Sequence, residues 1–213
     1  MAERRPIATR ETGWARSLAA RLARAGLSAN AISVLSVLFA VVAGAALLMS
    51  DSPAWRGWLV LAALGIQLRL LCNMFDGMVA VEHGQGTPEG ALYNEVPDRV
   101  ADTLILVAAG HAVAVGAWGP LLGWASALMA MFTAYVRVLG GALGTPQYFI
   151  GPQSKSQRMA VMTGAALLGA VLPSPALAGR LLTAALVVVL VGSTITVVRR
   201  VIRIARELRS RAA

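Results

Sequence analysis

Three carboxylates and one amide stand at helical spacing in two neighbouring apolar stretches of the sequence. Asn73 and Asp76 are three residues apart, and Asp98 and Asp102 are four residues apart, so each pair shares one face of a helix. Acids that converge inside a membrane repel one another unless a cation neutralises them, and all-oxygen ligands favour magnesium or manganese over zinc. The alternative is a set of interhelical hydrogen bonds with an ion pair between Arg69 and Asp76.

The elements that must position these residues are membrane-spanning helices. Apolar residues make up 57% of the 213 residues and charged residues only 14%, which is too apolar for a soluble domain of this size. A helix needs about 20 mostly apolar residues to cross a bilayer. Six such runs predict an all-α integral membrane protein with six transmembrane helices, at residues 31–49, 58–81, 98–118, 121–143, 159–172 and 180–198.

The charge pattern predicts the orientation of these spans. Arginines crowd the segments before the first run and after the last, so both termini are expected in the cytosol, which requires an even number of spans. The net charge of +9 lies at the ends of apolar runs, which argues against nucleic acid as a partner. We expect a bacterial inner-membrane protein with a cytosol-facing site, and tryptophans at the opposite face: Trp55, Trp58, Trp118 and Trp124.

Three segments are predicted along the chain. Residues 1–30 form a cytosolic amphipathic segment whose Trp14, Leu18 and Leu22 recur at helical spacing, as in a helix lying on the membrane surface, although an ordinary basic flank has a similar composition. Residues 31–198 form the membrane domain. Residues 199–213 form a basic cytosolic tail that contacts anionic lipid.

The second and third predicted spans carry a pattern that resembles a known family. The run from Asn73 onward resembles the signature of the CDP-alcohol phosphotransferase family, D-x2-D-G-x2-A-R-x8-G-x3-D-x3-D. Its matching residues are Asp76, Gly77, Ala80, Gly90, Asp98 and Asp102. The sequence departs from the signature at Asn73, at Val81 and in four extra residues before Asp98. An ungapped alignment would place Asn94 and Asp98 at the last two acidic positions, and we prefer the gapped one because it keeps two carboxylates.

The resemblance implies an activity, a cofactor and a set of roles. Members of the family transfer a phosphatidyl group from CDP-diacylglycerol to a hydroxyl acceptor and release CMP. The expected cofactor is Mg²⁺ or Mn²⁺, as two ions, and a homodimer is expected. By this resemblance Asn73, Asp76, Asp98 and Asp102 are metal ligands, and Asp102 is also the general base. The residues expected at the nucleotide are Asn30, Ser33, Gly77 and Ala80.

Basic residues near the cytosolic ends of the later spans are candidates for the acceptor. Arg137, Lys155 and Arg158 are predicted to hold the phosphate of an acceptor such as glycerol 3-phosphate or an inositol phosphate, although they also fit plain orientation signals. Serine or a lipid alcohol stays open. For the missing acid and arginine we expect compensation from Arg69, Asn94 or Glu95, with Glu82 as a weaker alternative.

Two rival functions fit parts of the sequence. The departures at Asn73 and Val81 favour a protein that binds CDP-lipid or metal without turnover. A small ion-coupled transporter is the other rival, but the sequence has no evident internal repeat and its acids gather near one membrane face. We therefore expect an enzyme of phospholipid biosynthesis.

Overall fold

The computed structural model describes residues 8–82, 84, 87–112 and 117–212, and these residues are helical apart from short connections. The predicted amphipathic segment is described from residue 8 onward, and the side chain of Glu82 lies outside the described part. The helices are α1 (Gly13–Arg24), α2 (Ala29–Leu48), α3 (Trp55–Glu82), α4 (Gly90–His111), α5 (Gly119–Ala142), α6 (Lys155–Val171) and α7 (Pro175–Ala212). The all-α fold class is therefore confirmed.

The six predicted spans correspond in order to α2 through α7, but only part of the span prediction is confirmed. Four helices, α2 with the turn after it, α3, α5 and α7, are long and apolar enough to cross a membrane. Helix α6 has 17 residues, and α4 carries Glu95, Asp98, Arg99 and Asp102 along its length. Both helices are thus less typical of a membrane span by composition or length alone.

Two predicted boundaries moved for identifiable reasons. Helix α4 begins at Gly90 and ends at His111, whereas the apolar run suggested 98–118, because Asn94 and Glu95 interrupt the apolar pattern before residue 98. Helix α6 begins at Lys155, earlier than the predicted residue 159. Ser154 and Gln157 form a capping box there, in which each side chain bonds the other residue's backbone N–H.

Small residues let α2 lie against both α3 and α4. A Cβ atom at Gly65 on α3 would stand 2.9 Å from the carbonyl oxygen of Phe39, so only glycine allows this approach of α3 to α2. Buried alanines continue the contact on α2 and α4 at positions such as Ala40, Ala43 and Ala101. Close packing of this kind fixes the relative positions of the two helices that carry the acids.

The short helix α1 packs on the polar end of α3. Ala15 and Ala19 are fully buried against this helix, and the ring of Trp14 meets the edge of Phe75 at a centroid distance of 6.2 Å. Arg16, Arg21 and Arg24 are exposed. The amphipathic pattern therefore forms a helix, and its buried face contacts the element that carries Asp76.

The connection between α5 and α6 lies along the last turns of α7. The backbone N–H of Gln153 donates to Thr196 Oγ1 at 3.0 Å, and the Tyr148 hydroxyl donates to Glu207 Oε2 at 2.5 Å. Arg211 donates to the carbonyl oxygen of Gly144 at 2.9 Å. Helix α7 thus continues as a helix through its basic end and holds the segment that leads into α6.

Candidate active site

Asp76 of α3 lies buried beside the first residues of α2. The Ser33 hydroxyl donates to Asp76 Oδ2 at 2.6 Å. Ser33 stands there because α2 begins at Ala29, where the Ser28 side chain caps the helix by accepting from the N–H of Ala31. Two residues that the sequence assigned to different tasks, metal and nucleotide, therefore touch directly.

Asp102 of α4 is held by two arginines. Arg69 of α3 donates from Nη2 to Oδ1 at 2.6 Å, and Arg158 of α6 donates from Nη2 to Oδ2 at 2.7 Å. Arg158 also donates to the Gln153 carbonyl at 2.9 Å and to Thr133 Oγ1 at 3.3 Å. We call Arg69, Asp102 and Arg158 the buried triad, because all three side chains are almost completely inaccessible to solvent.

Asp98 lies one turn before Asp102 and has a different partner. Lys155, the first residue of α6, donates to Asp98 Oδ2 at 2.5 Å, and Arg69 Nη2 is 3.4 Å from Oδ1. Asp76 lies within electrostatic reach of both Asp98 and Lys155. Asp76, Asp98 and Lys155 therefore form one group of interacting charges, and Lys155 is the most exposed member of this group.

A second ion-pair network lies toward the start of α4. Glu95 accepts from Arg137 of α5 at 2.5 Å and from Arg99 at 2.9 Å, and Arg137 also donates to Gln147 Oε1 at 2.6 Å. We call Glu95, Arg99 and Arg137 the outer network.

Several predicted residues have contacts that the sequence did not indicate. Arg69 pairs with Asp98 and Asp102, and no ion pair between Arg69 and Asp76 forms. Arg158, predicted to bind an acceptor, is buried against Asp102. Thr133 and Gln153, which support Arg158, were not predicted, because neither stands in a motif.

The remaining predicted residues lie around these groups. Asn30 donates to Thr87 Oγ1 at 3.3 Å, and Asn94 is exposed one turn before Asp98. Gly77 and Ala80 are partly buried on α3, and Val81 is exposed there. The gapped alignment agrees with this pattern of burial, because Asp98 and Asp102 are buried whereas Asn94 is not.

The donor set fits a hard divalent cation in chemical type. Asp76 and Asp98 offer carboxylate oxygens, and Asn73 on the same helix as Asp76 offers a neutral amide oxygen. The Asn73 Nδ2 atom is buried and has no hydrogen-bond partner among the described residues. Within that same part of the chain no three His, Cys, Asp or Glu side chains already surround one point, since basic side chains take the oxygens of Asp98 and Asp102.

Comparisons with known proteins bear on the fold and the family. No protein-family model matches the chain. A phosphatidylinositol phosphate synthase of Mycobacteroides abscessus is 29% identical over 116 residues, which is 54% of this chain and 47% of that protein, so the alignment spans about half the length of the relative.

Solved structures of the Mycobacterium tuberculosis phosphatidylinositol phosphate synthase extend this likeness to most of the chain. The structure with CDP-DAG bound has a TM-score of 0.72 at 21% identity, covering 89% of this chain and 92% of that one. The structure with manganese and citrate has a TM-score of 0.72 at 20% identity, covering 89% and 88%. The chain therefore has the fold of this synthase, and its predicted resemblance to the CDP-alcohol phosphotransferase family is confirmed.

Proposed function

We propose that this chain transfers a phosphatidyl group from CDP-diacylglycerol to the hydroxyl group of a small polar or phosphorylated alcohol, such as an inositol phosphate or glycerol 3-phosphate. One observation carries the proposal. Asp76, Asp98 and Ser33 come from three helices to one group of charges, in a fold shared with a synthase solved with CDP-DAG bound. The meeting of these two signature aspartates supports the proposal.

The reaction forms one bond and breaks another at the same phosphorus. The acceptor hydroxyl oxygen attacks the phosphorus that carries diacylglycerol, the phosphoanhydride bond breaks, and CMP leaves with the bonding electrons. The hydroxyl proton passes to a carboxylate of the protein. Asp76, Asp98 and Asn73 would hold a divalent cation, Mg²⁺ or Mn²⁺, which when bound neutralises the diphosphate oxygens.

Asp98 is the proton acceptor that the contacts support. The sequence assigned this role to Asp102, but both oxygens of Asp102 accept hydrogen bonds from arginines that are themselves buried. To take a proton, Asp102 would have to give up one of two buried ion pairs, which is costly. Asp98 has only one short contact of this kind, to the partly exposed Lys155, whereas Arg69 and Arg99 lie 3.4 Å and 3.9 Å from its oxygens. We therefore assign Asp102 to holding α3, α4 and α6 together.

Substrate contacts follow from the positions of the surrounding residues. Ser33, Gly77 and Ala80 lie around Asp76 and are proposed to face the nucleotide, with Asn30 at the nearby start of α2. Arg137 and Lys155 are proposed to bind the acceptor phosphate. Arg158 is not proposed to bind the acceptor phosphate, because its guanidinium already donates hydrogen bonds to Asp102 and Gln153.

The membrane arrangement belongs to the same proposal. Helices α2 to α7 are six spans with both termini in the cytosol, residues 31–198 are the membrane domain, and the protein is a homodimer of a bacterial inner membrane. Six consecutive helices and the arginines at both ends support this arrangement.

The orientation can be tested by chemical labelling. Cysteine placed at position 210 would react with an impermeant thiol reagent from the cytosolic side only, and reaction from the other side would refute the orientation.

The test of the activity is release of CMP. Purified protein would be incubated with CDP-diacylglycerol, Mg²⁺ or Mn²⁺ and, in separate reactions, inositol phosphate, glycerol 3-phosphate, serine and a lipid alcohol. We expect CMP release with a phosphorylated acceptor, and loss of release in Asp76→Asn. Binding of CDP-diacylglycerol without release across the whole panel would instead support the non-catalytic binding protein that Asn73 and Val81 allow.

A further inference from the structure

Asn73 and Arg69, one turn apart on α3, have buried N–H groups that donate no hydrogen bond within the described residues. Arg69 makes all of its hydrogen bonds through Nη2, to Asp102 and to Asp98. Its Nε and Nη1 atoms, like Asn73 Nδ2, are buried and have no partner among the described residues. Because residues four apart on a helix are neighbours on one face, the two side chains leave α3 on the same side. Buried donors without a partner are costly, so their presence next to a carboxylate group calls for a ligand that accepts hydrogen bonds.

The charges of the site give the second, independent observation. Asp76, Asp98 and Asp102 are matched by Arg69, Lys155 and Arg158, and Arg99, 3.9 Å from Asp98, is matched by Glu95. These eight residues together carry no net charge, and Arg137, the other partner of Glu95, makes the group more positive. The diphosphate of a CDP-linked lipid carries two negative charges, one on each esterified phosphate. One divalent ion balances it. Two divalent ions would leave an excess of two positive charges in a largely buried site, which is unfavourable in a medium of low dielectric constant.

We infer that the site takes one divalent ion per chain, and that Arg69 and Asn73 replace a second ion by supplying N–H donors to the diphosphate. This inference rests on the proposed function. It also explains why an asparagine is compatible with activity at a position where the signature has aspartate. A carboxylate can only accept hydrogen bonds, whereas an amide offers both an oxygen to the ion and an N–H to a phosphate oxygen. The sequence-based expectation of two ions is thereby replaced.

The first test is the stoichiometry of Mn²⁺ binding, measured by titrating the purified chain with Mn²⁺ alone and following the spectroscopic signal of free Mn²⁺. We expect one ion per chain for the wild type. In the double variant Arg69→Gln with Asn73→Asp, one positive charge is lost and one ligand charge is gained, and we expect two ions per chain. Two ions of similar affinity in the wild type, or still one ion in a folded double variant, would overturn the inference.

The second test uses CDP in the presence of a chelator, so that only the chain's own donors bind the diphosphate. We expect measurable metal-free binding by the wild type and about tenfold weaker binding by Asn73→Asp, which loses a donor and adds a repulsive charge. Ser17→Asp places the same added charge on the exposed face of α1 and should bind CDP as the wild type does. Equal CDP affinity in Asn73→Asp and the wild type would contradict a role for the amide.

The single substitution keeps the inference testable even if the double variant does not fold. The outcomes also separate the inference from the proposed function. Normal CMP release from CDP-diacylglycerol by a wild type that binds two Mn²⁺ ions would overturn the inference alone. Absence of CMP release with every acceptor would overturn the proposed function.

Discussion

The buried triad and the outer network contain the same chemistry in two different environments. Arg69, Asp102 and Arg158 have relative exposures of 0%, 2% and 1%. In the outer network the side chains of Glu95 and Arg137 are 35% and 13% exposed. Both networks join three charged residues by short hydrogen bonds. The two networks differ in how far their side chains are exposed to solvent.

This difference assigns the two networks to different tasks. Removing one partner of a buried ion pair costs about 3–5 kcal/mol, because the other charge stays buried without compensation. Partly exposed ion pairs cost less to break, because water can solvate the charge that is left unpaired. We therefore expect the buried triad to fix α3, α4 and α6, and we propose that the outer network releases Arg137 to the phosphate of an acceptor.

The largest expected effect comes from substituting the two neighbouring aspartates of α4 one at a time. Asp98→Asn should lower kcat for CMP release by about a thousandfold, because it removes the proposed proton acceptor. It should lower the stability less than Asp102→Asn does, because water can solvate the partly exposed Lys155 that it leaves unpaired. Asp102→Asn should lower the free energy of unfolding by about 3 kcal/mol and leave kcat of the folded protein within about tenfold of wild type. Thermal unfolding in detergent and single-substrate kinetics measure both quantities. If Asp102→Asn were instead inactive but stable, Asp102 would be the general base, as predicted from the sequence.

A smaller effect is expected in the outer network. Arg137→Gln should raise KM for a phosphorylated acceptor about tenfold, while Glu95→Gln should lower it by a few-fold, because Arg137 then loses its competing partner. An unphosphorylated acceptor serves as the control, and equal shifts of its KM would refute phosphate binding by Arg137.

The smallest effect is expected at the position that distinguishes the two alignments of the signature. Asn94→Asp should change the affinity for Mn²⁺ by less than about twofold, because an exposed side chain on the first turns of α4 is well solvated. The measurement is the same titration with Mn²⁺ alone. Tightening by tenfold or more would place position 94 among the ligands and support the ungapped alignment.

The fold was largely predictable, because length and hydropathy dominate the formation of helices in a bilayer. Each predicted span corresponds to one of α2–α7, and the spacing of Asp98 and Asp102 correctly placed both on one buried face. The partners of the acids were not predictable. Arg69 stands on the same helix as Asp76, so sequence spacing suggested a local pair, yet its partners lie on α4. Which helix supplies the opposite charge depends on how α4 and α6 pack, and local patterns carry no such information.

The end of α7 has a consequence for the site although it is distant along the chain. Thr196 and Glu207, eleven residues apart on one rigid helix, hold Gln153 and Tyr148 just before Lys155. Each residue of a helix turns the next by about 100° and advances it by about 1.5 Å. A single insertion between these two anchor points would swing Glu207 away from Tyr148 while Thr196 kept its place. The spacing of Thr196 and Glu207 along α7 therefore determines where Lys155, at the start of α6, meets Asp98.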